Sequence, residues 1–205
     1  MPDFTLLWPV DAPLNEDNPF GANPELYAPL GCEGHPGIDL MCPEGTPVVA
    51  AADGYVSMAG DLGTAGYAAR IEHGALACET RYCHLSLLEV LAGDLVAKGQ
   101  QIGLSGATGY TFGPHLHLDL WLDDEPRDNG YGGRVDPTPY LSPREDEGGE
   151  PRAGLTEAER EQVRAALHRI WRVKSRLERS RPPRLYLSQE LFEAVVAIKE
   201  AVGLD

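Results

Sequence analysis

Between residues 47 and 122 the sequence is a series of short apolar stretches, each cut off by Gly, Asp or another turn-forming residue. No helical period of three to four residues runs through it. The stretches 47–52, 55–59, 68–72, 79–85, 101–104 and 115–122 are the candidate strands. Several are rich in β-branched or aromatic side chains, and most of the turns between them carry Gly. This predicts a mainly β domain built on an antiparallel sheet, sandwich-like or barrel-like. Composition agrees, because 23 Gly and 17 Pro in 205 residues exceed average usage and favour turns over long helices.

The flanks differ. Residues 1–46 are mostly irregular, and 123–141 are polar and turn-rich. The reading therefore places one domain over 1–141. A charged Pro/Gly linker follows over 142–154, and a helical hairpin tail over 155–205. Thr156-Glu-Ala-Glu159 has capping-box spacing, and Val163, Leu167, Ile170, Val173 and Leu177 recur at helical steps. Pro182-Pro183 ends that helix, and Ser188 can cap a second one. Such an α-helical appendage, of about fifty residues, is too small to be stable on its own.

Charge separates the same two regions. Residues 1–150 hold 6 Lys+Arg against 24 Asp+Glu, a balance of −18, whereas 151–205 hold 11 against 8, a balance of +3. An acidic body argues against nucleic acid as its partner. The basic helical tail suits an anionic surface, oligomerisation, or simply a solvated face. No apolar run approaches the roughly 18 residues of a membrane span, and the first residues do not read as a signal peptide. Cys32, Cys42, Cys78 and Cys83 lack CxxC spacing, which argues against a cysteine zinc site. Two disulfides and four free buried thiols both fit.

Three short motifs carry the chemistry. His35-Pro-Gly-Ile-Asp39 offers an imidazole and a carboxylate, both good zinc donors, on what Pro and Gly make an extended turn. Alone it does not distinguish a ligand pair from two surface residues. In His115-Leu-His117 the strand period of two sends both imidazoles to one face, and Leu116, Leu118 and Leu120 to the other, into the core. In Tyr82-Cys-His84 the same period puts Tyr82 and His84 on one face. A catalytic zinc needs three protein ligands and an open position for a water, whose pKa it lowers to about 7. Peptide hydrolysis also needs groups to accept and donate protons and to steady the oxyanion.

The order of motifs resembles the lysostaphin-type, LytM-like zinc metallopeptidases. The matching text is Phe20-Gly21, Gly34-His-Pro-Gly-Ile-Asp-Leu40 and Glu44-Gly-Thr-Pro-Val-Val-Ala-Ala-Ala-Asp-Gly54. It continues with Tyr82-Cys-His-Leu-Ser86, the stretch from Gly93 to Gly106, Thr108-Gly109, Gly113-Pro-His-Leu-His117 and Val135-Asp-Pro-Thr-Pro-Tyr-Leu141. The resemblance implies an antiparallel β-sheet fold and one Zn2+ per chain held by His35, Asp39 and His117. It implies His84 and His115 as the two catalytic histidines, with their roles unsplit.

The implied activity is endopeptidase cleavage of peptidoglycan peptides by attack of a zinc-activated water. The alternative is a non-catalytic wall-binding or assembly module with a structural metal site. The implied setting is the bacterial cell wall, extracellular or periplasmic. With no export signal in view, two settings fit: a phage-encoded lytic enzyme, released at lysis or carried in the virion, which is the expectation here, and a truncated bacterial secreted enzyme. The family often has Phe-Glu after H-x-H, where this sequence has Leu118-Asp119. Asp119 shares the face of His115 and His117, so it is either an acceptor that orients a histidine or a solvated strand carboxylate. Tyr82 is a further candidate neighbour of the site. His73 and His168 are read as structural.

Overall fold

The structure, a computed structural model, describes residues 3–142. The expected tail, and the linker beyond Ser142, lie outside the described residues. Twelve strands follow in chain order: β1 (Leu6–Leu7), β2 (Ile38–Leu40), β3 (Pro47–Val49), β4 (Gly54–Asp61), β5 (Tyr67–His73), β6 (Cys78–Leu85), β7 (Leu87–Leu88), β8 (Leu95–Val96), β9 (Gln101–Leu104), β10 (Leu116–Leu122), β11 (Arg134–Val135) and β12 (Leu141–Ser142). The one α-helix among the described residues, α1, is the single turn Pro24–Tyr27. No helix among these residues is long and apolar enough to cross a membrane.

The main sheet runs β11-β10-β6-β5-β4-β8, with β2 also paired to β10. The meander β4, β5, β6 and β10 is antiparallel throughout. A smaller sheet, β3-β9-β7, is antiparallel too, and β1 pairs with β12 in parallel. The six candidate strands of the sequence reading correspond to β3, β4, β5, β6, β9 and β10 within a few residues. The two-residue strands escaped it, because two residues cannot display a period. The last of these, β12, is Leu141–Ser142.

Strand β10 positions the site. Leu116, Leu118 and Leu120 are fully buried on one face, against Ile38, Leu40, Ile71, Tyr82 and Leu85. Burying each leucine contributes about 1.5–3 kcal/mol. One edge of β10 pairs with β6, setting His117 opposite Cys83 and Asp119 opposite Arg81. Its other edge pairs first with β2, setting His117 opposite Asp39, and then with β11. The expected turn at His35–Asp39 therefore ends in a strand, with Asp39 in the middle of β2. Gly37 makes that approach possible: a Cβ there would lie 2.4 Å from the Leu118 carbonyl oxygen and 2.9 Å from the His117 ring.

All four cysteines are free and buried. Burial pushes the Cys78 thiol up to about 12, so it is a packing residue with no thiolate at neutral pH. His73 is fully buried as well. Its Nδ1 lies 2.9 Å from the Asp53 carbonyl and its Nε2 2.8 Å from the Thr80 hydroxyl, so it is a satisfied core histidine.

Candidate metal centre

Directly opposite residues of an antiparallel pair project to the same side. His117 on β10 and Asp39 on β2 are such a pair, and they meet with Nδ1 2.9 Å from Oδ1. His35, four residues before Asp39, brings Nε2 to 3.0 Å from His117 Nδ1 and 3.3 Å from Asp39 Oδ1. The three donor atoms thus form a nearly equilateral triangle. Ligands on a tetrahedral zinc with arms of about 2.0–2.1 Å stand about 3.3 Å apart, so the triangle fits that ion. Two imidazole nitrogens and one carboxylate oxygen also suit zinc chemically. All three residues are at most 8% exposed, and buried polar side chains of this kind need partners or a cation.

Each ring is held in one tautomer. His35 Nδ1 donates to the Asn18 carbonyl at 2.8 Å, leaving Nε2 its lone pair. His117 Nε2 donates to Asp119 Oδ1 at 3.2 Å, so Nδ1 is the nitrogen that would bind a metal once its own proton is lost. Such partners fix ring orientation and raise ligand basicity. Asp119 is fully buried and is not a solvated carboxylate. It also accepts from Arg81 at 2.7 Å and forms an ion pair with Arg134 at 2.9 Å. Burial alone would raise its pKa, but His117 and Arg81 hold it well below the carboxylate range. The indole of Trp121 packs under the guanidinium groups of Arg70, Arg81 and Arg134, at 4.6, 5.3 and 4.7 Å from its ring centroid.

Asp39 is likewise ionised. Burial opposes its charge, yet the imidazoles of His115, His117 and His35 around it hold its carboxyl well below the usual range. For His117 burial opposes the protonated form, but the Asp119 and Asp39 carboxylates raise it to about 9 without metal. A second cluster, Cys83, His117 and Asp119, also brings donor atoms together. It does not suit a cation, because Arg81 and Arg134 already occupy the Asp119 carboxylate.

His84 and His115 stand beside the triangle. Their ring centroids are 4.9 Å apart, and His84 lies 6.0 Å from His117. His115 Nε2 is 3.4 Å from Asp39 Oδ1. Its Nδ1 donates to the Gly113 carbonyl at 2.9 Å, with the Thr111 hydroxyl at 3.2 Å. His84 Nδ1 donates to the Thr108 carbonyl at 2.8 Å. The loop 106–114 therefore fixes the proton on both rings and leaves both Nε2 atoms available. Burial pushes the His84 imidazole down to about 4, so it is neutral at physiological pH.

The pairing of Tyr82 with His84 on one face is corrected by the structure. Tyr82 faces the core and is fully buried, its hydroxyl accepting from the Ala51 amide at 2.8 Å. His84 would follow it there by alternation. A left-handed backbone at His84, φ 62°, breaks the pleat and turns the imidazole to the metal face. This conformation costs a non-glycine residue about 1–3 kcal/mol and tends to occur at functional sites. The supporting roles of three residues were not read from the sequence: Asn18, Thr111 and Thr108, the last noted only within a matching motif. They act through backbone carbonyls and loop hydrogen bonds, which leave no spacing signal.

A two-histidine, one-carboxylate triangle with two further imidazoles beside it can hold a metal ion and still offer groups for proton transfer. Residues 33–129 match Peptidase family M23. The described fold is similar to that of a solved peptidase domain. The catalytic domain of the antimicrobial peptidase lysostaphin from Staphylococcus simulans superposes with a TM-score of 0.53 at 28% identity, covering 63% of this chain and 92% of that one. The DD-carboxypeptidase/endopeptidase Mpg of Neisseria meningitidis is 38% identical over 126 residues, 55% of this chain and 29% of Mpg. The peptidoglycan DD-endopeptidase ShyA of Vibrio cholerae is 46% identical over 92 residues, 45% of this chain and 21% of ShyA. The chain spans less than a third of the length of these curated relatives.

Proposed function

We propose that this chain is a zinc-dependent endopeptidase that hydrolyses peptide bonds of bacterial cell-wall peptidoglycan. The observation that carries the proposal is the surplus of histidines. Three donors suffice for the metal, and two more imidazoles stand beside them with Nδ1 engaged by loop carbonyls. A purely structural metal site has no use for the second pair. His35, Asp39 and His117 would hold one zinc. When bound, zinc supplies a nucleophilic water at neutral pH and polarises a carbonyl. Of His84 and His115, one would take up the attacking water's proton on Nε2, and the ring so protonated would donate to the oxyanion and return the proton to the leaving amine. Asp119 holds His117 in place.

The substrate class rests on the likeness to the peptidoglycan DD-endopeptidase ShyA, and the place of action is accordingly the cell wall. The test is digestion of purified walls of two cross-link types, with identification of the new amino termini. New termini that vanish on chelation and return with zinc are the expected result. Protein that carries zinc yet releases no new amine from any wall would overturn the proposal, and would support a non-catalytic wall module instead.

A further inference from the structure

The two carboxylate oxygens of Asp39 have different neighbours. Oδ1 faces ring nitrogens of His117 at 2.9 Å, His35 at 3.3 Å and His115 at 3.4 Å. Oδ2 accepts from the Asn18 side-chain amide at 2.9 Å. The same amide nitrogen donates to the Tyr27 hydroxyl at 2.8 Å, and Asn18 Oδ1 accepts from Asn23 at 2.9 Å. The Asn18 side chain is therefore locked by three hydrogen bonds, while its backbone carbonyl takes the Nδ1 proton of His35 at 2.8 Å. Tyr27 adds its ring, stacked on His35 at 5.0 Å.

The backbone around Asn18 is tied to the same two residues. Before it, the Asn15 amide donates to the Asp39 carbonyl at 2.8 Å, and Met41 donates to Pro13 at 2.9 Å. After it, Gly21 donates to His35 and His35 to Ala22, both at 2.8 Å. Asn18 is the tip of a strap whose two ends are fastened to the segment that carries His35 and Asp39.

A carboxylate free to turn can bind a cation through one oxygen or through both. A second oxygen on the metal would fill the position a water needs. We infer that Asn18 is a positioning residue: its amide engages Asp39 Oδ2 so that only Oδ1 is offered to the metal, and its carbonyl holds His35 in the ligating tautomer. The inference rests on the zinc reading given under Proposed function.

The test uses the whole chain, stripped of metal. Zinc affinity is measured by competition with a chromophoric chelator, and the visible spectrum is recorded after loading with Co2+. Four-coordinate Co2+ absorbs more strongly than five- or six-coordinate Co2+, so the spectrum reads how many donors surround the ion. A merely structural Asn18 would not move it. Asn18→Ala is expected to weaken zinc binding by about 10–100-fold and to lower the cobalt absorption. Asn23→Gly preserves the left-handed backbone at that position, φ 52°, and frees Asn18 Oδ1, so a smaller shift in the same direction is expected. It carries the test if Asn18→Ala does not fold. Unchanged zinc affinity and an unchanged cobalt spectrum in the folded variants would overturn the inference alone. Wild-type chain that binds neither metal would overturn the zinc reading, and the inference with it.

Discussion

The two faces of β10 differ in almost every respect while sharing one backbone. Leu116, Leu118 and Leu120 are sealed in the core. His117 and Asp119, interleaved with them, face the metal centre and a buried charge network, and His115 extends the same series just before the strand. The apolar face fixes where the strand lies. The polar face uses that rigidity to place nitrogen and oxygen atoms within a few tenths of an ångström of a zinc triangle. Precision at the site is inherited from packing on the other side of the sheet.

Several changes would break or sharpen this contrast. On the polar face, His115→Ala is expected to lower the rate of peptide cleavage by about 10²–10⁴-fold, the usual contribution of an acid–base group, with melting little changed. Activity within a few-fold of wild type would remove His115 from the chemistry. On the apolar face, Leu118→Ala is expected to cost about 2–5 kcal/mol of stability, measured by denaturant unfolding, with one zinc still bound per folded chain. A loss of zinc without a loss of stability would mean that the faces are not independent in the way described.

Asp119→Asn is a milder change on the polar face. It weakens the acceptor of the His117 Nε2 proton and leaves Arg81 and Arg134 without their anion. Zinc affinity should fall by about 10–100-fold, read by chelator competition.

The smallest effect is a pH dependence of the metal-free protein. His117 is raised from 6.5 to about 9 by Asp119 and Asp39, against the effect of burial. A raised folded pKa contributes stability that is complete below the unfolded value and is lost as pH rises through the folded one. The melting temperature of the stripped protein should therefore decline between pH 6.5 and 9. Melting that stays flat or rises would show that His117 is already neutral at the lower pH.

The polar face of β10 was legible in the sequence because a strand has a period of two, and His115, His117 and Asp119 obey it. His35 and Asp39 were legible as donors, although β2 was hidden by its length of three residues. The same period misled at Tyr82 and His84, where one left-handed residue reverses the alternation. The partners of the ligands were the least legible. Asn18, Thr108 and Gly113 act on His35, His84 and His115 through main-chain carbonyls, which every residue type possesses. Arg81 and Arg134 reach Asp119 from two other strands, and their pairing appears only once the register is set.

The central claim is that the two histidines of His115-Leu-His117 divide their labour, one for the metal and one for the reaction. Zinc content per chain, measured side by side after dialysis on wild type, His117→Ala and His115→Ala, tests it most directly. The account predicts one zinc in wild type, one in His115→Ala and none in His117→Ala. Zinc lost from His115→Ala and kept by His117→Ala would contradict it.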